Sequence, residues 1–304
     1  MSVLSFRTYV TIGGMIKDTQ TIMAGVPEAL TPLVRRVTAP NAGMMTGPGT
    51  NTYLIGWRNV AVIDPGPADE QHVEAILQAV EAGAGRVHSI WVTHTHRDHS
   101  PAAALLAART GAPCYGSLLP DDGFQDQSFN PQVALENHLT VTTEEWSLTA
   151  IHTPGHVHNH YCFHLQQEGL MFVGDHMMQG TTVVIIPPHG VMADYIVSLQ
   201  ALLEYPMQAI APGHGYLIQE PKKVVQATIK HRLARERLLL KKLSGEWQAL
   251  EGLTKAVYKG LDSRLMTFAG MSLLAHLKKL EAEQKAETDG ADHWRHVQKE
   301  NKSV

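Results

Sequence analysis

Residues 93–100 read Thr-His-Thr-His-Arg-Asp-His-Ser, directly after the apolar run Ser-Ile-Trp-Val of residues 89–92. That run combines β-branched and aromatic side chains, the composition of a buried strand. In extended backbone, residues two apart project to the same side, so His94 and His96 point together. The turn into the next segment swings Asp98 and His99 to a neighbouring position. Four ligand-type side chains in such a short span suit two adjacent cations better than one. Imidazole nitrogen and carboxylate oxygen are donors that zinc accepts at about 2.0–2.2 Å. Packing gives no reason for this set at a strand end.

Four donors cannot satisfy two tetrahedral cations. More His and Asp are therefore expected at other strand ends, in loops where glycine keeps the backbone clear. His156 in His-Thr-Pro-Gly-His, Asp175 in Phe-Val-Gly-Asp and His214 in Pro-Gly-His-Gly meet that demand. One arrangement closes the coordination. His94, His96 and His156 hold the first cation, Asp98, His99 and His214 the second, and Asp175 bridges them beside a shared water. Binding to metal can lower the pKa of water from ~15.7 to around 7. Asp98 is expected to orient the attacking water. His160 is the candidate proton donor, or a pocket or supporting group. His158, His164, His176 and His189 carry weaker signals.

Around this centre the chain alternates short strands with helices. Asn51–Gly56 and Asn59–Gly66 read as paired strands, after a strand within Leu30–Pro40 and a loop over residues 39–50. Helical spacing covers Asp69–Ala82, with Gly83 as a stop, and a further helix opens at Ser100–Pro101 and runs to Arg109. Pro-Cys-Tyr-Gly-Ser, Leu139–Trp146, Leu148–Thr153, Tyr161–Gln166, Leu170–Asp175 and Ala209–Pro212 are further strands, and Asp194–Leu203 is a helix. Many paired strands among helices indicate an α/β sandwich rather than a simple wound parallel sheet. Composition shifts near Gln219. A helix over 221–243 carries Lys222, Lys223, Lys230, Arg232, Arg235, Arg237, Lys241 and Lys242 against Glu236. Helical patterns at Thr254–Tyr258 and Met271–Glu283 follow, then a polar tail, Thr288–Val297.

The 304 residues suit one large domain with a small one, 1–218 and 219–304. A net charge of −4 excludes a surface that coats nucleic acid or anionic membrane throughout. No apolar run approaches the ~18 residues of a membrane helix, and the start Met-Ser-Val-Leu-Ser-Phe lacks the pattern of an export signal. A cytoplasmic protein without membrane contact is expected. Cys114 and Cys162 read as buried, reduced thiols.

The motifs Thr93–Ser100, His152–His156, Gly174–Asp175 and Pro212–Gly215, opened by Asn51–Gly56 and Ile63–Gly66, resemble the metallo-β-lactamase superfamily. The resemblance implies a four-layer αββα sandwich with metals at one edge of two sheets. It matches each ligand above to a family position and gives Asp64 a supporting loop position. His96 stands where flavodiiron-type relatives carry an acid, which disfavours a redox di-iron centre. The segments His231–Leu243, Leu253–Leu261, Ser272–Glu283 and Trp294 resemble the C-terminal winged helix of the β-lactamase-like protein 2 subgroup.

That subgroup implies hydrolysis, first of the phosphodiester in single-stranded RNA. The wider superfamily adds thioesterases of the glyoxalase II type and lactonases, because fold does not settle substrate. The partners are thus a small-molecule or single-stranded RNA substrate, and a second copy in a homodimer. The cofactor is two Zn²⁺, with iron or manganese fitting the same ligands. The alternative of another class is a winged-helix nucleic-acid-binding protein with a vestigial metal site.

Overall fold

The structure, a computed structural model, describes residues 21–297. The segment read as lacking an export signal lies outside the described residues. Seven strands form the first sheet in the order β1 (Glu28–Ala29), β2 (Val34–Thr38), β3 (Asn51–Ile55), β4 (Asn59–Ile63), β5 (Arg86–Trp91), β6 (Cys114–Gly116) and β7 (Val133–Ala134). Pairing is antiparallel from β1 to β4 and parallel from β4 to β7. The second sheet holds β8 (Thr140–Thr142), β9 (Ser147–His152), β10 (Tyr161–Leu165), β11 (Leu170–Gly174) and β12 (Ala209–Pro212), in the order β12-β11-β10-β9-β8.

Strand periodicity of two, with both faces apolar, sets the layers. In β3 and β4, Tyr53, Ile55, Ala61 and Ile63 face the second sheet, where they meet Phe163, Phe172 and Trp146. Leu54, Val60 and Val62 face the other way, onto α1 (Glu70–Glu81) and α2 (Ala102–Thr110). In the second sheet Cys162, Met171, Val173 and Ile210 turn outward onto α3 (Met192–Leu202) and the first half of α4 (Pro221–Lys242). Three stacked cores define four layers, α, β, β and α. Each large side chain fully buried in them contributes about 1.5–3 kcal/mol. Cys114 and Cys162 are free and buried.

The C-terminal part contains α5 (Leu250–Val257), α6 (Met266–Ala282) and a three-stranded sheet ordered β13 (Gln248–Ala249), β15 (His293–His296), β14 (Ala286–Thr288). The polar tail expected at Thr288–Val297 is therefore a hairpin arm. Trp294 alone turns inward, 2% exposed, into a core with Leu239, Leu273 and Leu277. One buried ring fixes a strand whose other residues are polar, so the composition hides it. Two further boundaries move. Leu139–Trp146 is a strand only over β8, because Thr143 turns the chain and its Oγ1 accepts from the Trp146 N–H. The helix expected to start at Met271 begins at Met266.

No helix among the described residues is long and apolar enough to cross a membrane.

Candidate metal centre

The strand ends do what the spacing requires. Beyond β5, His94 and His96 turn to one side, and His94 Nε2 lies 3.0 Å from His96 Nδ1. His156, in the loop after β9, brings its Nε2 to 3.2 Å from the same His96 Nδ1. These three residues and Asp175, at the end of β11, offer donor atoms within 4.8 Å of one another. A second group, Asp98, His99 and His214, converges alongside. Asp98 Oδ2 is 3.3 Å from His214 Nε2 and 3.6 Å from His99 Nε2.

Asp175 faces both groups. Its Oδ1 lies 3.2 Å from His214 Nε2 and 3.5 Å from His99 Nε2, and its Oδ2 lies 3.9 Å from His156 Nε2. Two oxygens aimed at two donor sets give this carboxylate the position of a bridge.

The outward nitrogens are anchored in a way that leaves the inward ones available. His94 Nδ1 contacts Thr93 Oγ1, His156 Nδ1 the Val184 carbonyl, His99 Nδ1 the Asp64 carboxylate and His214 Nδ1 the Gly49 carbonyl. Such outer partners fix the tautomer and the ring orientation of metal-binding histidines. Asp64 also accepts from the Thr93 N–H and hydroxyl, at 2.7 Å each, from a left-handed backbone at φ 48. It locks the end of β5 to the ring of His99. His99 Nε2 and Asp175 Oδ1 are buried without a hydrogen-bond partner among the described residues. An orphaned imidazole nitrogen facing an orphaned carboxylate oxygen is the state a cation satisfies, so the donor set fits a pair of divalent ions.

The charge balance agrees. Burial, reinforced by the neighbouring imidazoles, lowers His94, and burial with His156 brings His96 down to about 3. Both rings are neutral and their lone pairs are free to bind. Burial would lower His99 and His214 too, yet Asp98 and Asp175 overcome it. They raise His99 well above the usual range and His214 to about 9. Without metal, these two rings carry protons that stand where cations belong. Loading at pH 7 is therefore expected to release protons, and affinity should fall as the pH drops from about 9 toward 7. Calorimetry in two buffers of different ionisation heat measures the release; none at pH 7 would contradict the assignment.

Residues 45–214 match the metallo-beta-lactamase superfamily. The chain belongs to that superfamily. As a member it is a hydrolase, and residues 250–294 match the beta-lactamase associated winged helix domain, which accounts for α5, α6 and the hairpin. It is 31% identical over 285 residues to the beta-lactamase-like protein 2 homolog of Drosophila melanogaster, covering 86% of this chain and 93% of that one. An atrochrysone carboxyl ACP thioesterase of Aspergillus novofumigatus is 27% identical over 263 residues, covering 86% and 74%. A beta-lactamase domain protein from Burkholderia ambifaria superposes with a TM-score of 0.77 at 18% identity, covering 92% and 96%, and shares the fold.

The remaining histidines of this superfamily member lie outside the cluster. His160 is fully buried behind His94, ring centroids 5.2 Å apart, with its Nδ1 on Thr153 Oγ1. Burial holds it well below its usual pKa. His176 is sealed between His160 and Tyr195, and His164 contacts the Pro206 carbonyl. His158 is exposed, and His189 is half-buried in the loop after β11.

The loop after Asp175 lines the site, as its resemblance to the subgroup implies; the walls from Met44, Met45 and the C-terminal helices were not expected. A cleft of ≈ 520 Å³ reaches His214 and runs between the sandwich and the winged helix. Met44, Met45 and Met178 line one side, and Tyr258, Leu261, Leu265 and Phe268 the other. Met44 and Met45, 63% and 45% exposed, were the available signal: adjacent methionines in a Gly/Pro loop form an adaptable apolar surface.

Proposed function

We propose that this hydrolase cleaves the carbonyl of esters or thioesters with apolar acyl groups, using two divalent cations held by His94, His96, His156, Asp175, Asp98, His99 and His214. Zinc is the first choice for a donor set of imidazoles and carboxylates, with iron and manganese as alternatives. The observation that carries the reading is the cleft at His214, whose larger apolar side chains are methionine, leucine and phenylalanine, with Arg232 and Arg235 among its polar lining. Relatives named as ACP thioesterases support the same substrate class.

A bound pair of cations would supply a water ionisable near neutral pH and an electrophile for the substrate oxygen. The chain's own groups do the rest. The Asp98 side chain is 30% exposed, against 11% for Asp175, so Asp98 is the carboxylate that meets an incoming water. In the metal-free chain His99 and His214 hold its pKa down to about 2 against burial, so the carboxylate is ionised and Oδ2 accepts a hydrogen bond that orients the water. The apolar side chains of the cleft would seat the acyl chain beside His214, whose Nε2 is 3.3 Å from Asp98 Oδ2. His160, sealed behind His94, supports that ring rather than reaching a leaving group. Two buried free thiols fit a reducing compartment such as the cytoplasm.

The phosphodiester of single-stranded RNA, first on sequence, becomes the second reading. Lys222, Lys223, Lys230, Arg237, Lys241 and Lys242 are exposed on α4 and do not line the cleft; Arg232 and Arg235 do line it, but each donates to a carbonyl of the chain itself, of Val183 and Val257. A binding protein with a vestigial site is opposed by the convergence of all seven side chains. A panel of single-stranded RNA, an acyl thioester, a lactone and a β-lactam on metal-quantified protein decides. Thioester turnover indifferent to salt is expected. RNA cleavage alone, weakening steeply with salt, would replace the proposal.

A further inference from the structure

The segment after β11 crosses between the metal cluster and the C-terminal helices, and it is held from both sides. On the cluster side, the Val184 carbonyl accepts from His156 Nδ1 at 2.8 Å. On the far side, Arg232 of α4 donates through Nη2 to the carbonyl of Val183 at 2.5 Å, and Ser272 Oγ of α6 lies 3.4 Å from the Ile185 N–H. Two consecutive peptide units are thus fixed by three residues, two of which belong to the C-terminal helices.

Arg232 differs from the other cations of its helix. It is 3% exposed, whereas Lys230 and Arg237 face solvent. Its guanidinium also lies over the ring of Tyr195, 5.2 Å from the centroid. Tyr195 in turn donates its hydroxyl to the carbonyl of His176, the residue after Asp175. The backbone of Tyr195 presses on Gly155, the residue before His156: a Cβ built at Gly155 would stand 2.3 Å from Tyr195 Cα. A buried arginine with five fixed donors is a rigid anchor for such contacts.

We infer that Arg232 is a positioning residue for the metal centre, acting through the 183–185 segment to set the ring of His156 and through Tyr195 to seat Gly155 and His176. The inference rests on the reading of His94, His96 and His156 as metal ligands. Helix α4 thereby tunes the first cation's site from behind, without touching it. Loss of an outer partner of this kind lowers metal affinity about 10–100-fold.

The test compares Arg232→Met, Arg232→Lys, Leu277→Ala and His156→Ala with the parent chain, titrating zinc against a chromogenic chelator and recording thermal melting without metal. Expected is a 10–100-fold weaker first zinc in Arg232→Met and recovery in Arg232→Lys, whose ammonium still reaches a carbonyl. Leu277→Ala lowers the melting temperature from the core of the same C-terminal part and leaves zinc affinity unchanged. Equal affinity in Arg232→Met and the parent overturns the inference, as does an equal affinity loss in Leu277→Ala, which would mark a general effect of stability. Should Arg232→Met fail to fold, Ser272→Ala loosens the same segment, and unchanged affinity there overturns it. A parent chain that takes up no zinc, or a His156→Ala variant that binds it as tightly as the parent, brings down the ligand reading itself.

Discussion

Replacing His94 and His96 together with alanine is expected to abolish turnover and bound metal in step. The two rings supply two of the three imidazole nitrogens that converge with Asp175, and His96 Nδ1 is the atom toward which both His94 and His156 point. A catalytic cation contributes several kcal/mol to transition-state stabilisation, at about 1.36 kcal/mol per tenfold, so activity should drop about 10³-fold or more. Folding should survive. Burial and mutual repulsion already disfavour charge on these imidazoles, and neither ring belongs to the apolar core between the sheets. Metal content by emission spectrometry and a melting curve on the same sample separate the two effects. Full activity in a metal-free double variant would end the proposal of a metal-dependent reaction.

The second large effect comes from one methyl group. In Gly213→Ala the new Cβ would stand 2.7 Å from His99 Cε1 and 2.9 Å from Asp175 Oδ1, with the Gly174 carbonyl carbon at 3.1 Å. None of these can retreat freely. His99 is pinned by Asp64, and the Gly213 N–H is bonded to the Gly174 carbonyl at 2.8 Å. The methyl must part the ring from the carboxylate just where the second cation is expected. A misplacement of about 1 Å in such a centre costs about 10²-fold. The expected result is a chain that keeps one metal per molecule, loses the second, and turns over about 10²-fold more slowly. Two metals retained at full activity would show that His99 and Asp175 do not share a cation.

The sheet core and the cluster were legible in the sequence because both obey short-range rules. Alternation in Tyr53–Ile55 and Val60–Ile63 serves two apolar faces, and the spacing of His94 and His96 needs only an extended backbone. The distant members His156, Asp175 and His214 were found because each follows an apolar strand and adjoins a glycine. What stayed hidden depends on long-range partners. The strand within Leu30–Pro40 was expected, but not its burial throughout as β2, because it contains Arg35 and Arg36, whose guanidiniums donate to the carbonyls of Gly56 and Gly215 and, for Arg36, pair with Glu28. Arg232 sat within a row of cations that reads as a solvated face, and its burial against Tyr195 and the Val183 carbonyl distinguishes it only in the fold. The cleft joins side chains more than 200 positions apart, such as Met44 and Phe268, which no local pattern can pair. Trp294 was noted, but the strand around it needs Gln248 and Thr288 as neighbours.

Helix α4 closes the outer layer of the sandwich with Val225 and Ile229, then enters the C-terminal core with Leu239 and Leu243. Ala275 of α6 joins the same outer layer. The helix is a keel common to two hulls. A chain cut at residue 218 would leave Met171, Val173 and Ile210 facing water on one flank, so the catalytic half should be recovered as aggregate rather than as a smaller working enzyme. Heating the intact protein should melt both halves in one step.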